Sequence, residues 1–354
     1  MTAEEKLLVE LPADSWYEAQ GTQFGVACAN PDYEYLHGVE GCGAVINDWC
    51  GAAWDPIHGQ LLLWGGGHDG YWGNEVYGFD PATMGWSVVK EPSPNITPDN
   101  QSKDPLDDGT PVSRHTYGGL AYLEHANVFW AWGGAMARNG FGTGLTWTLD
   151  LDSGTWQNQE PRGEPFVNAS GPYSMGSAYD PVTHKIFMQL NAGLSVYDSD
   201  ANTWTPLLDG GYPPLYPTWT INSGSGVIDP GRRIFFAFGG GSTAPFAYDI
   251  EAGTHVSEEW YTTGADEMVT AYALGADWDE KAGQVVAWAG GSPCELDMTT
   301  KVWTCSSGTG APPAQNGNGT FGRWRYLRKY NVFILVNDPS QNVFFYKHRA
   351  GCGE

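Results

Sequence analysis

His68, Arg114, His115 and Tyr117 are the residues of this chain best suited to move protons. A histidine takes a proton near neutral pH, a tyrosine can return one, and an arginine can neutralise a carboxylate so that the adjacent carbon becomes acidic. Held around one sugar, the four would serve a polysaccharide lyase acting on uronate-containing glycans. Histidines and tyrosines in glycine-rich segments equally suit hydrogen-bonding struts. A second set is suited to binding: Asp69, Tyr71, Trp72, Asn74, Arg138, Tyr173, Trp219, Asn222, Tyr272 and Arg323, with Phe141, Tyr216 and Met268 among them. Aromatic rings interleaved with Asn, Asp and Arg match a sugar, whose apolar faces stack and whose hydroxyls need donors and acceptors. Packing of loop against loop is the plainer use of the same rings.

What must position these residues is a repeated unit, most complete in Gln60 to Lys90. An apolar run ends in Trp64 and meets Gly65, Gly66 and Gly67; Asp80 closes a second run, and Trp86 follows six residues later. The same interval recurs as Asp150 to Trp156, Asp198 to Trp204 and Asp297 to Trp303, with Asp249 to His255 as a degenerate copy. Upstream of each lies an apolar strand ending in small residues. Ten residues before each strand's last large residue stands another large apolar one: Trp54, Tyr122, Tyr179, Ile228, Trp278 and Tyr326. Units of about 50 residues with four short strands match propeller blades. The 48 Gly and 23 Pro suit tight turns between strands, and no 3.6-residue periodicity is sustained.

The expectation is an all-β, six-bladed propeller of four-stranded antiparallel blades in one domain spanning 1-354. The blades fall at 51-90, 116-159, 174-208, 223-260, 272-307 and 321-354. The last unit lacks an outer strand, and a tryptophan in the right context, Trp16, appears at the other end of the chain. Residues 1-20 are therefore expected to supply that strand and close the ring, leaving no large sheet edge exposed.

Glycine pairs or triplets after the second strand, an aromatic in the third and a Trp six residues past the turn together resemble the kelch family of β-propellers over nearly the whole chain. The segments WGGGHDGYWGNEVYGFD and SRHTYGGLAYL are also similar to a bacterial and phage group of kelch-like proteins. The resemblance implies the fold and leaves the activity open, since one ring hosts oxidases, lyases and binding modules.

Loop length points to one face. Turns after first and third strands are short, such as DPIHG and DPATMG. Loops after second and fourth strands are long: Gly65 to Asn74, Lys90 to Arg114, Gly133 to Gly144, Glu160 to Ser174 and Asp209 to Ser223. Long loops are retained where something binds, and the chemically capable residues lie on them. Arg114, His115 and Tyr117 are expected where the innermost strand of blade two begins, with His115 at the mouth of the central channel and His68 reaching toward it.

A net charge of -24 excludes a nucleic-acid partner, which would demand a basic stripe, and no apolar run approaches the ~18 residues a membrane helix needs, so no membrane insertion is expected. The first 20 residues lack the basic start and apolar core of a secretory signal. Cytoplasmic synthesis is expected, with work in the virion or outside the cell. A turn at Met298 to Lys301 would set Cys294 opposite Cys305, as a disulfide or as two thiols; Cys28, Cys42, Cys50 and Cys352 admit several pairings. No cofactor is expected and no metal site is assigned, although Asp99, Asp104, Asp107 and Asp108 in one loop could ligate calcium through oxygen. No cysteine lies in the loops of blades two to four, where a copper-radical oxidase would cross-link one to a ligand tyrosine. The leading reading is a propeller that recognises a glycan or protein partner through its long-loop face, as a phage virion or tail component among other virion proteins. The alternatives are the lyase and an intracellular protein-interaction propeller.

Overall fold

The computed structural model describes all residues except 37, 168–170, 174–175, 191–192, 210–223, 240–244, 307–309, 313 and 354. Its strands form six four-stranded antiparallel sheets, in chain order within blades 1 to 5. The innermost strands are Ala52–Asp55, Leu120–Leu123, Gly176–Asp180, Ser225–Asp229, Gly275–Asp279 and Trp324–Leu327, each packed beside the next around a central axis, the last beside the first. In blade 6 the outer strand is Ser15–Ala19, paired with Val343–Lys347 so that Trp16 faces Tyr346. The chain's two ends thus complete one sheet, as the missing outer strand required.

The six-residue interval is the register of a hairpin. Carboxylates of Asp80, Asp150, Asp198, Asp249 and Asp297 accept backbone N–H groups two or three residues on, which satisfies the turn's free amides. The residue before each Asp then stands opposite the marker: Phe79 with Trp86, Leu149 with Trp156, Tyr197 with Trp204, Leu296 with Trp303, and Tyr248 with His255. A second set, Asp55, Asp180, Asp229 and Asp279, caps the turns after the inner strands in the same way. Blades 2 and 6 use short 3-10 turns there, Glu124–Ala126 and Arg328–Tyr330, each closed by a left-handed asparagine, Asn127 or Asn331. The hydroxyls of Tyr122 and Tyr326 donate to those two asparagines.

The core is six layers of side chains between neighbouring blades. Between blades 1 and 2, for example, Leu62, Trp64 and Val76 meet Phe129, Trp147 and Trp156. A fully buried tryptophan removes about 150–250 Å² from water, an upper figure of about 4–6 kcal/mol at ~25 cal/mol per Å². Trp64, Trp130, Trp132, Trp147, Trp288 and Trp324 are all buried in this way.

Two disulfides are present, Cys28–Cys42 among the N-terminal loops and Cys294–Cys305 across blade 5's outer hairpin, where the register sets the two cysteines opposite each other. Cys50 is buried and unpaired, and Cys352 is exposed and unpaired. No helix among the described residues is long and apolar enough to cross a membrane.

Candidate functional site

The strand carrying Arg114 and His115 is not the innermost strand of blade two. It is a separate two-residue strand paired with Ala135–Met136, while Leu120–Leu123 faces the axis. The glycines after the second strands explain this. A Cβ on Gly67 would lie 2.3 Å from the Arg114 backbone, and one on Gly134 would lie 2.2 Å from the His115 carbonyl, so only glycine lets this strand thread between the two loops.

Burial decides what each candidate can present to a ligand. Arg114 is 1 % exposed; its guanidinium donates to Asp104 at 2.8 Å and to the Val112 and Gly133 carbonyls, and lies over Trp64. Arg323 is equally buried, donating to the carbonyls of Gly319, Cys50, Val336 and Asn337. Tyr71 donates to Glu75, and Asn74 bridges Thr110, Pro111 and Ser93. These four brace the loops from within. Trp72 is half-buried, its indole N–H on Asp69, and Arg138 lies at the surface, donating to Pro98. Trp219, Asn222 and Tyr216 lie outside the described residues, and Met268 is buried between blades 4 and 5.

The remaining candidates converge at the long-loop end of the axis. His68 meets His115 edge to face at 5.5 Å, and His115 lies 5.0 Å from Trp49. The Tyr117 hydroxyl is 3.5 Å from His115 Nδ1. Tyr117 packs on Tyr173 and Phe321, and the Trp49 N–H donates to the Tyr272 hydroxyl at 2.7 Å. His68 enters from the loop after the second strand of blade 1 and the other rings from the loops leading into blades 1, 2, 3, 5 and 6, and they meet across the axis. They form an aromatic lid over the long-loop end. Burial, with His68 nearby, drives the His115 pKa down to about 3, and burial raises that of Tyr117. A neutral imidazole this weakly basic, 4 % exposed, is a poor proton acceptor. Beside the lid, burial together with Glu40 pushes Asp48 up to about 7.

The opposite end of the axis is open. A cavity of about 240 Å³ enters from the short-turn face, walled by the six inner strands. Trp54, Tyr122, Tyr179, Ile228, Trp278 and Tyr326 stand around it, each also belonging to one of the six inter-blade layers. Five of these residues are aromatic; Trp54, Tyr179 and Trp278 are half-buried and leave ring surface for a guest, while Tyr122 and Tyr326 are buried in the wall. Polar groups sit among them. Asp277 accepts the backbone N–H groups of Trp278 and Tyr326, each at 2.9 Å, and lies 4.0 Å from the Arg325 guanidinium. Burial raises the pKa of Asp277 despite that neighbour, and burial with Glu280 and Asp55 nearby raises that of Glu124 against the pull of Arg328. At the rim Arg328 pairs with Glu280 at 2.6 Å. The Arg233 guanidinium grips both oxygens of Asp180, tying adjacent turns of blades 3 and 4.

In the sequence these six large residues mark only the repeat frame. The ten-residue interval that located them was also the signal for this site: one large side chain per blade, near the end of each inner strand, stands at the axis. Asp277 and Arg325 carry no such periodic mark. The calcium candidates do not gather, since Asp104 pairs with Arg114 and Thr143 while Asp108 pairs with Ser93 and Thr110.

No family model matches this chain, and no curated protein matches it in sequence. The class is defined by the fold itself: a six-bladed β-propeller.

Proposed function

We propose that this propeller is a recognition module that takes a sugar unit of a glycan into the axial cavity on its short-turn face. The observation that carries the reading is the cavity ringed by Trp54, Tyr122, Tyr179, Trp278 and Tyr326 with Asp277 and Arg325 among them. At about 240 Å³ it lies just under the ~300–1,000 Å³ common for small-molecule sites. That suits one sugar or a chain end rather than a long polymer. Rings supply stacking faces, and the carboxylate and guanidinium supply hydroxyl acceptors and donors. The kelch-like repeat pattern implies the ring and no activity. The two disulfides suit work outside a reducing compartment.

Binding is ahead of lyase chemistry because Arg114 and His115 are buried and Arg114 is already paired. A glycan array probed with wild type, Trp278→Ala and Trp72→Ala tests the reading. Trp278→Ala should weaken binding by about 1 kcal/mol, near fivefold, as a lost stacking contact does, while Trp72→Ala on the long-loop face leaves it unchanged. Loss in Trp72→Ala alone would move the site to the other face. Unsaturated, ultraviolet-absorbing products from a uronate polysaccharide would make the protein a lyase.

A further inference from the structure

On the short-turn face, three turns at the seam of blades 2 and 3 bring two imidazoles and a carboxylate together. His125 sits in the 3-10 turn Glu124–Ala126, His184 closes the first turn of blade 3, and Asp200 lies in that blade's outer hairpin turn. Their potential ligand atoms all lie within 4.8 Å of one another, the one such group of histidine, cysteine and acidic residues among the described residues. His184 Nδ1 is 2.9 Å from one Asp200 oxygen and His125 Nε2 is 3.4 Å from the other.

We propose that His125 Nε2, His184 Nδ1 and Asp200 form a binding site for a divalent transition metal of the zinc, cobalt or nickel type. Two imidazoles and one carboxylate suit these ions, whereas calcium and magnesium select oxygen-only shells. Three protein ligands leave a fourth, tetrahedral position for water. The second shell is already in place: His125 Nδ1 lies 2.8 Å from the Tyr179 hydroxyl. With its proton on Nδ1 and donated to Tyr179, the ring turns the Nε2 lone pair toward Asp200, which is how protein partners usually orient a metal-bound histidine. The charge of -24 draws cations to the surface generally.

Binding has to alter one feature. The two rings stack at 4.0 Å and 9°, and an ion cannot lie in the planes of two parallel rings at once. One ring must tilt as the donors close to bonds of about 2.0–2.2 Å. His184 and Asp200 are 35 % and 62 % exposed, so the movement takes place at the surface and undoes the His184–His125 stack.

The test is calorimetric titration of the metal-free full chain with Zn²⁺, with Co²⁺ absorption as a second readout. A Cys352→Ser background removes the exposed thiol as a competing ligand. The expected result is a single equivalent bound, with the visible bands of four-coordinate cobalt, and no response to Ca²⁺ or Mg²⁺. His184→Ala and Asp200→Ala, both on exposed turns, should each lower affinity by at least tenfold while leaving the metal-free melting temperature unchanged. Tyr179→Phe should lower it by about ten- to a hundredfold through the lost orienting bond. Equal affinity in wild type and both ligand variants, less than one equivalent bound, or a matching response to Ca²⁺ would overturn the site. Since the readout is metal alone, the outcome is independent of whether the axial cavity binds sugar.

Discussion

His115 illustrates how much a residue's chemistry depends on what covers it. In the unfolded chain it titrates near 6.5, but under Trp49, His68 and Tyr117 it stays neutral down to about 3. Between those values the unfolded state binds the proton and the native state does not, so stability falls as pH drops through the window. The slope approaches ~1.4 kcal/mol per pH unit for one proton. His115→Gln cannot titrate and should lose that dependence. Urea midpoints of both proteins from pH 7 to pH 4 would show their stability difference shrinking as pH falls. Parallel curves would mean that His115 is protonated in the native state. Burial acts on Arg114 as well: a guanidinium this enclosed must have its N–H groups satisfied, by the Asp104 carboxylate here and by four backbone carbonyls at Arg323.

At the scale of elements, the strand Ser15–Ala19 does more than fill a gap. Trp16 lies within 5.0–6.4 Å of Trp288, Trp324, Phe344 and Tyr346, so it seals the layer between blades 5 and 6 as well as an edge. The preceding helix, Ala3–Glu10, is anchored where Glu5 meets Lys329, and that contact, with the N–H of Thr2, holds the Glu5 carboxyl down to about 2. Trp16→Ala should cost about 3–5 kcal/mol, as large-to-small core changes do. Deleting residues 1–20 should in addition expose the edge of Val343–Lys347 and promote association, visible by light scattering. A truncated protein that melts like the intact one and stays monomeric would refute ring closure as a source of stability.

Much of this level was legible in the sequence, because hairpins are local. An aspartate capping a turn sets the residue before it opposite the one six positions after it, and so the blades, the closing strand and the Cys294–Cys305 juxtaposition could be read by counting. The fate of Arg114 and His115 could not, because it depends on loops from blade 1 and on an acid ten residues back folding over them. Nor could the open end of the axis, since a ring around a hole and a ring in a core have the same apolar signature along the chain. Trp219 and Asn222, expected to bind, fall outside the described residues.

For the whole molecule, the ring makes two ends unlike in structure: one lidded by aromatics, the other open and edged with both charges. Glu124, Asp277 and Glu280 stand with Arg325 and Arg328 around the opening, set in a chain of charge -24. The long-range field therefore repels an anionic glycan, while the local arginines are already engaged with carboxylates. A neutral sugar pays no such penalty. If the cavity is the binding site, neutral glycans should bind with affinity nearly independent of salt, whereas uronate or sialylated chains should bind poorly at low ionic strength and gain as salt shortens the screening length to ~10 Å at 0.1 M. Dissociation constants for one neutral and one anionic glycan at low and at moderate salt decide it. Tighter binding of the anionic chain at low salt would place the site at a local positive patch instead, and Arg138, at the surface of the opposite face, would be the first residue to replace.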